Sequence, residues 1–262
     1  MPTKSLLNVD ANAKTVKGQK KGFLTGVMYL APYKGSGRNV CPLAELAGCA
    51  AGCLNVAGRG GISKGGATFA TPAGPLPDNA IQRARINRTN SLFDDRAAFM
   101  ARLVGEIEAL IRKAERKGLT PVVRLNGTSD IQWEVGHPVT RDGVEYASIF
   151  DAFPRLTFYD YTKIAKRFGR PRRENYHLTL SYSAASSDYA EQCIEAHANG
   201  APLAVVARDV DAKNGDAIAA IAHGPIVDGD ENDLRFLDPD GACVVLKAKG
   251  RARRDTSGFV ID

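Results

Sequence analysis

The sequence predicts an α/β protein whose mostly parallel strands form a (β/α) barrel or a partial TIM-like barrel. Short apolar strand-like segments alternate along the chain with helices or long crossovers, which is the pattern of a parallel sheet. Most of these segments end in polar side chains, and reactive groups in such folds gather at the carboxyl ends of the strands. A long cysteine-bearing loop follows the first predicted strand. We therefore expect the functional site at the strand ends.

Apolar periodicity and turn residues predict the individual elements. We expect a flexible lead-in over residues 1–20 and a single α/β domain over residues 21–262, because no repeat or linker composition interrupts the chain. Helices are predicted over residues 79–89, 94–117 and 187–199, where apolar residues recur at helical spacing or glycine provides a stop. Strands are predicted over residues 22–30, 121–125, 155–159, 176–180, 202–207, 225–227 and 242–246.

Composition limits the classes of protein to consider. The chain has 262 residues, 44% hydrophobic and 24% charged, as in ordinary globular proteins. No apolar stretch is long enough to span a bilayer, and the polar, basic start lacks the apolar core of a secretory signal. We therefore expect a cytoplasmic protein without a membrane partner. The sequence does not predict an oligomeric state.

The net charge of +6 permits two interpretations. One is a nucleotide or nucleic-acid partner, since an excess of lysine and arginine attracts phosphates. The other is a modestly basic protein without such a partner, because the basic clusters are spread along the whole chain rather than concentrated in one arm.

Three of the five cysteines, Cys41, Cys49 and Cys53, are grouped beside small residues and predict a metal or iron-sulfur site. Seven residues separate the first two, and three separate the last two, which places Cys49 and Cys53 on one face of a helical turn. Thiolates bind soft metals, chiefly zinc or an iron-sulfur cluster. A [4Fe-4S] cluster with three cysteine ligands keeps one iron free, whereas a closed zinc site needs a fourth ligand such as His177 or His223. The remaining alternative is that the three cysteines pack as small apolar side chains.

Candidate catalytic residues lie at two other strand ends. Asp160 and Lys163 follow a predicted strand, and Ser181 follows the next one along the chain. These groups can donate or accept protons in a pocket, although a strand with aromatic packing is the alternative for the segment around Asp160. Cys193 and Cys243 fall in apolar segments and are expected in the core.

Several motifs, spread over nearly the whole chain, together resemble those of one known family. They are Cys41-Pro42 with Cys49 and Cys53, Ala57-Gly58-Arg59-Gly60, Arg124-Leu125-Asn126-Gly127-Thr128-Ser129-Asp130, Phe158-Tyr159-Asp160-Tyr161-Thr162-Lys163, Lys247-Ala248-Lys249-Gly250 and Asp255-Thr256-Ser257-Gly258-Phe259. In these motifs the chain resembles the gene product 88-like proteins of bacteriophages and prophages. The resemblance implies a location in the cytoplasm of a bacterial host, but no particular activity.

The cysteine loop also resembles, more remotely, that of the radical SAM enzymes. That resemblance implies a [4Fe-4S] cluster held after the first strand of a full or partial barrel, with S-adenosylmethionine bound to the free iron. The cysteine spacing is wider here than is usual there, and Asn126, Gly127 and Thr128 stand near the place of the usual Gly-Gly-Glu. By resemblance, these three residues would bind the amino and carboxylate groups of S-adenosylmethionine.

Two main functions follow as hypotheses, beside a third option, a cluster protein that has lost catalysis and serves a phage-specific interaction. The first is a radical-SAM-like enzyme that acts on a small-molecule, nucleotide or nucleic-acid substrate. The alternative is a non-catalytic, zinc-stabilised phage protein that binds nucleic acid.

Overall fold

The computed structural model describes residues 5–9, 13–208 and 215–262. The strands are β1 Leu7–Val9, β2 Phe23–Met28, β3 Thr68–Phe69, β4 Leu76–Pro77, β5 Thr120–Arg124, β6 Val139–Arg141, β7 Val144–Tyr146, β8 Thr157–Thr162, β9 Tyr176–Ser181, β10 Leu203–Ala207, β11 Ile226–Asp228, β12 Cys243–Lys247 and β13 Val260–Ile261. The helices are α1 Ala13–Gln19, α2 Cys49–Gly52, α3 Ala80–Asp94, α4 Arg96–Arg116, α5 Ile149–Ala152, α6 Ser187–Ala198 and α7 Gly215–Ile221.

Nine strands form one mixed sheet in the order β1-β2-β5-β8-β9-β10-β12-β11, with β13 paired to β10. Only the β1–β2 pair is antiparallel among the described strands of this sheet. Parallel neighbours therefore end at a common edge, here called the carboxyl edge: the ends of β2, β5, β8, β9, β10 and β12. The expected mostly parallel sheet is confirmed.

The expected barrel is wrong, because the sheet is open. Its outer strands, β1 and β11, are not paired with each other. The alternation of strands and helices along the chain predicts that neighbouring strands run parallel. Closure depends on strand number, tilt and stagger, and the alternating pattern carries none of these.

Helix α4 covers one face of the sheet through an apolar stripe. Phe99, Leu103 and Ile107 are buried at helical spacing in one core with strand residues such as Leu24 and Phe158. The side chain of Asp95 accepts a hydrogen bond from the Ala98 amide at 2.9 Å and caps the helix start. The helix predicted over residues 94–117 is confirmed.

Helix α6 builds a second core beside strands β9, β10 and β12. Tyr189 and Cys193 are buried there with Leu203, Val205 and Cys243. Cys193 and Cys243 are thus core residues, as predicted. The helix predicted over residues 187–199 is confirmed as well, and it ends before Gly200, whose φ of 89° suits glycine.

The segment before residue 21 contains regular structure rather than a flexible lead-in over its described part. Strand β1 pairs with β2, and Leu6 and Leu7 are buried. Their amides donate to the Glu106 carboxylate at 2.7 and 2.8 Å. Two adjacent leucines in a polar stretch are enough to anchor it, because their burial stabilises the pairing. Residues 1–4 and 10–12 of that prediction lie outside the described residues.

None of the helices in residues 13–208 and 215–262 combines the length and the apolar character needed to cross a bilayer.

Candidate functional site

The three grouped cysteines all lie on the loop that follows β2 at the carboxyl edge. Cys41 precedes a series of turns, Cys49 begins the short helix α2, and Cys53 directly follows it. A single helical turn of small residues between Cys49 and Cys53 lets the backbone lie close to other segments. Cys49 thus lies in the helical turn, whereas Cys53 follows it with extended backbone (φ -54°, ψ 134°).

Gly48 directly precedes α2, and its lack of a side chain lets the cysteine loop pack against residues far along the sequence. Its φ is 63°, and a Cβ there would lie 2.4 Å from Ser257 Oγ and 2.9 Å from the Ala185 Cβ. The Ser183 hydroxyl donates to the Ala47 carbonyl at 2.7 Å. The cysteine loop is therefore held by the segment after β9 and by residues 255–259 before β13.

The three thiols lie close enough to influence each other's ionisation. Burial raises the pKa of each thiol, to about 11 for Cys53, and the charge of Cys53 and Cys49 raises that of Cys41 further. The Cys41 sulfur lies 3.8 Å from the Thr128 carbonyl oxygen, and the Cys49 sulfur 3.7 Å from that of Ala44. All three are protonated thiols at neutral pH unless a metal or cation displaces the proton.

The donor set suits a soft metal in kind and in number, since three half-buried cysteines share one region. Across the described residues, no three or more His, Cys, Asp or Glu side chains are grouped closely enough to hold a metal ion. The sulfurs thus occupy a common region without forming a closed coordination site.

Lys163 is a basic residue that interacts with this region, and it is paired with Ser181. Its ammonium donates to Ser181 Oγ at 2.8 Å and to the Ser181 carbonyl at 3.2 Å, and lies 4.7 Å from the centre of the Phe259 ring. Burial lowers the pKa of Lys163, while the charge of nearby thiols, Cys49 foremost, raises it. Lys163 and Ser181, two predicted catalytic residues, therefore lie beside the cysteines.

Asp130 links this lysine to the cysteine loop and was not selected from the sequence. Its amide donates to the Val40 carbonyl at 2.8 Å, immediately before Cys41. Its carboxylate accepts from the Lys163 amide at 2.7 Å and lies 3.5 Å from the Arg167 guanidinium. Burial raises the pKa of Asp130, and these partners oppose that shift. Its position six residues beyond a strand end was the available signal.

Asn126, which was predicted to bind a cofactor, has a buried side chain that is hydrogen-bonded within the protein. It is 2% exposed. Its carbonyl oxygen accepts from Ser129 Oγ at 2.8 Å and from Trp133 Nε1 at 3.2 Å, and its amide group donates to the Ile131 carbonyl at 2.9 Å. These contacts fold the turn after β5 and occupy the groups that a ligand would need.

Gly127 and Thr128 join the turn after β5 to the loop after β2. The Gly127 amide donates to the Met28 carbonyl at 3.0 Å, and a Cβ at Gly127 would approach that oxygen to 2.6 Å. The Thr128 hydroxyl donates to the Leu30 carbonyl at 2.6 Å, and its own carbonyl is the one beside Cys41. Both residues border the cysteine site through their backbone.

Asp160, the third predicted catalytic residue, is fully buried inside the sheet. It accepts hydrogen bonds from the Asn126 amide at 2.7 Å and from the Tyr176 hydroxyl at 3.1 Å. Burial raises its pKa to about 7, against the lowering effect of Arg124. These contacts give Asp160 a role in joining β5 to β8 and β9.

The sequence as a whole matches a known family. The family model described as Gene product 88 matches residues 5–262. The chain belongs to the gene product 88 family. It has no significant match among curated proteins or solved structures. The gene product 88 resemblance is thus confirmed, while the likeness to radical SAM enzymes finds no support in these comparisons.

Helix α3 of this gene product 88 protein directs a polar face at the chain beyond Cys53, which sequence reasoning missed. Gln82 is fully buried and donates to the carbonyls of Asn55 at 3.0 Å and Gly60 at 2.8 Å. Arg85 donates to the same Asn55 carbonyl at 2.7 Å and interacts electrostatically with Cys53. The signal was a set of polar residues at helical spacing within the predicted helix 79–89, whose existence is confirmed by α3.

The two histidines considered as zinc ligands lie away from the cysteine site. His177 is the second residue of β9, near its amino end, and its ring lies 5.9 Å from that of Phe236. His223 lies beside His197, with its amide donating to the His197 ring at 3.0 Å. His177 and His223 are therefore not placed to complete a three-cysteine zinc site in this gene product 88 protein.

Proposed function

We propose that the protein binds a [4Fe-4S] cluster through Cys41, Cys49 and Cys53 and acts as a radical-SAM-like enzyme. The observation that carries the proposal is the meeting of three mutually interacting thiols with Lys163 at the carboxyl edge of a parallel sheet. A cluster with three thiolate ligands keeps one iron open, and when bound it would supply an electron to S-adenosylmethionine there.

The chain's own residues would favour the charged state of the thiols. Lys163 and Arg85 bring positive charge to Cys49 and Cys53, which lowers the pKa of those thiols against the effect of burial. Cluster binding then releases the thiol protons, so uptake becomes stronger as pH rises. Thr128 and Gly127 border the site through their backbone, which supports a role in ligand positioning there.

The substrate in this proposal is a small molecule or a nucleotide, given the basic charge of the chain. Lys163 and Ser181 would bind or exchange a proton with it at the ammonium and hydroxyl groups that lie 2.8 Å apart. A zinc site is the alternative. The placement of His177 and His223 away from the cysteines favours iron and sulfide over zinc.

The test is anaerobic purification and reconstitution, followed by iron, sulfide and zinc analysis. The wild type should bind iron and sulfide in equal amounts, and a Cys41→Ala, Cys49→Ala, Cys53→Ala variant should bind neither. A Cys193→Ala, Cys243→Ala variant is the matched control, because it removes two buried thiols from the core and should keep the cluster. Zinc alone, or no metal in the wild type, would rule out the proposal.

The enzymatic part needs its own measurement. S-adenosylmethionine added to the reconstituted protein should perturb the electron paramagnetic resonance spectrum of the reduced cluster and be cleaved reductively. A cluster that is present but insensitive to S-adenosylmethionine would retain the iron-sulfur assignment and reject the radical-SAM-like activity.

A further inference from the structure

Three arginines lie on a short 3-10 turn, Gly250–Arg254, that contacts helix α2. Ala252 is buried and anchors the turn, while Arg251, Arg253 and Arg254 are exposed. Together with Gly250 and Ala51 of α2, they line a cavity of about 490 Å³. The arginine turn, as we call residues 250–254, is thus anchored by its buried alanine and exposes its three charged side chains.

These three guanidinium groups lack the partners that most arginines of this protein have. Arg167 pairs with Glu134 at 2.8 Å and Arg124 with Asp233 at 2.7 Å. Within residues 5–9, 13–208 and 215–262, no ion pair or side-chain hydrogen bond involves the guanidinium of Arg251, Arg253 or Arg254.

The nearest acidic residue in sequence does not neutralise the arginine turn. The Asp255 carboxylate is buried, and it accepts hydrogen bonds from Ser257 Oγ at 2.8 Å and from the Val260 amide at 3.1 Å. The three positive charges lie within four residues and repel each other. An anion bound between them would offset this repulsion.

Further cations continue from this turn along the adjacent loop. Gly250 lies against Ala57, since a Cβ on Gly250 would be 3.3 Å from the Ala57 Cβ. Two and seven residues beyond Ala57 are Arg59 and Lys64, both exposed. In the described part of the chain, neither side chain has an ion pair. The positive surface therefore extends from the arginine turn along the loop instead of ending in one pocket.

We propose that the arginine turn, continued by Arg59 and Lys64, binds the phosphate backbone of nucleic acid. A surface of successive unpaired cations suits a polymer with a phosphate at every residue better than a single small anion. Guanidinium groups also bind phosphate oxygens in a bidentate manner. This inference deepens the proposed function by naming a macromolecular partner, but the surface itself requires no cluster.

The experiment is fluorescence anisotropy with the full chain, free of metal, and a labelled DNA strand of about 20 nucleotides, titrated between about 50 and 200 mM salt. An Arg251→Gln, Arg253→Gln, Arg254→Gln variant should bind at least tenfold more weakly, with the slope of log affinity against log salt reduced by about 2. An RNA strand and a DNA duplex of the same length show which form is preferred.

The matched control removes the same charge from the opposite edge of the sheet. Arg112, Arg116 and Arg155 are exposed there, at the end of α4 and before β8. Their triple glutamine variant should bind within about twofold of wild type at physiological salt. Equal weakening in both variants, no binding by the wild type, or binding of anionic vesicles in preference to nucleic acid would overturn the proposal.

Circular dichroism and thermal unfolding verify that each variant is folded. If the triple variant is unfolded, the single variants Arg251→Gln and Arg254→Gln replace it, each with an expected loss of a few fold and a slope change of nearly 1. The variant without Cys41, Cys49 and Cys53 should bind the strand like wild type. Loss of cluster binding and loss of nucleic-acid binding can thus be observed separately.

Discussion

The ammonium of Lys163 lies 2.8 Å from the hydroxyl of Ser181, and these two residues stand at the ends of adjacent parallel strands. The lysine is buried, and its positive charge interacts electrostatically with Cys49 and Cys41. One side chain thus connects the cysteine site to the strand ends that were predicted to react.

Replacing Lys163 with methionine should weaken cluster binding roughly tenfold. The substitution keeps the length of the side chain and removes a charge interaction worth on the order of 1 to 2 kcal/mol to the thiolates. Iron retention against a chelator, measured anaerobically, checks this. Lys166→Met is the control, since Lys166 is exposed three residues further on and should have no effect. Equal retention in the Lys163→Met protein and the wild type would contradict the prediction.

Gly48→Ala should destabilise the protein by about 2 to 4 kcal/mol and reduce cluster uptake. The positive φ alone costs about 1 kcal/mol, and the new Cβ would meet Ser257 and Ala185. Gly58→Ala is the matched control: its φ is 54°, and nothing lies within 4 Å of a Cβ there. Urea unfolding of both variants separates backbone strain from steric contact. A Gly48→Ala protein no less stable than Gly58→Ala would show that residues 255–259 do not confine the loop.

Gln82→Leu should lower the free energy of unfolding by about 1 to 3 kcal/mol, because it removes donors from the buried carbonyls of Asn55 and Gly60. Residues 54–66 should also become more sensitive to proteolysis. Asn87→Leu, at an exposed position on the same helix, should leave both properties nearly unchanged. Limited proteolysis with mass spectrometry locates the cleavage, and cuts confined to other loops would refute the role of Gln82.

The stability of the protein should depend on pH through His137. Burial, and secondarily Arg96, lowers the pKa of this histidine from 6.5 to about 4. Between pH 6.5 and about 4, the unfolded state therefore binds a proton at His137 more readily than the folded state does. The contribution of neutral His137 to stability, up to about 3 kcal/mol, is present above pH 6.5 and is lost as the pH falls toward 4.

Urea unfolding at about pH 7.5 and about pH 4.5 tests this prediction. A His137→Phe variant, which cannot be protonated, should lose less stability on acidification than the wild type. Asp160, whose pKa is raised to about 7, acts in the opposite direction in both proteins, so their difference isolates His137. An identical loss in both proteins would mean that His137 does not carry the effect.

Sequence reasoning predicted the elements whose signals are local. Helix α4 shows an apolar stripe and an acidic cap, and the cysteine spacing of α2 implies one helical turn. The closure of the sheet was predicted wrongly, since it depends on geometry accumulated over all strands. Leu6 and Leu7 were overlooked because two residues are too few to show a period.

Within the site, the sequence singled out the cysteines, Lys163 and several polar residues at strand ends, but it did not show what those polar side chains contact. Asn126 and Asp160 were expected to face a ligand, and in the structure their side chains accept hydrogen bonds from Trp133 and Tyr176, which lie 7 and 16 residues away along the chain. Composition cannot separate a polar group that binds a ligand from one that satisfies the backbone of a turn. Asp130 and Gln82 were missed for the same reason.

The contacts that hold Gly48 have a consequence for biogenesis. The hydrogen bond from Ser257 to the Gly48 carbonyl spans 209 positions of the chain, and that from Ser183 to Ala47 spans 136. During synthesis the cysteine loop emerges from the ribosome long before these partners do. The thiols are consequently exposed to solvent for most of translation and adopt their final surroundings only after residues 255–259 have emerged. A cofactor bound at this site would therefore be enclosed by these contacts only after that stage of synthesis.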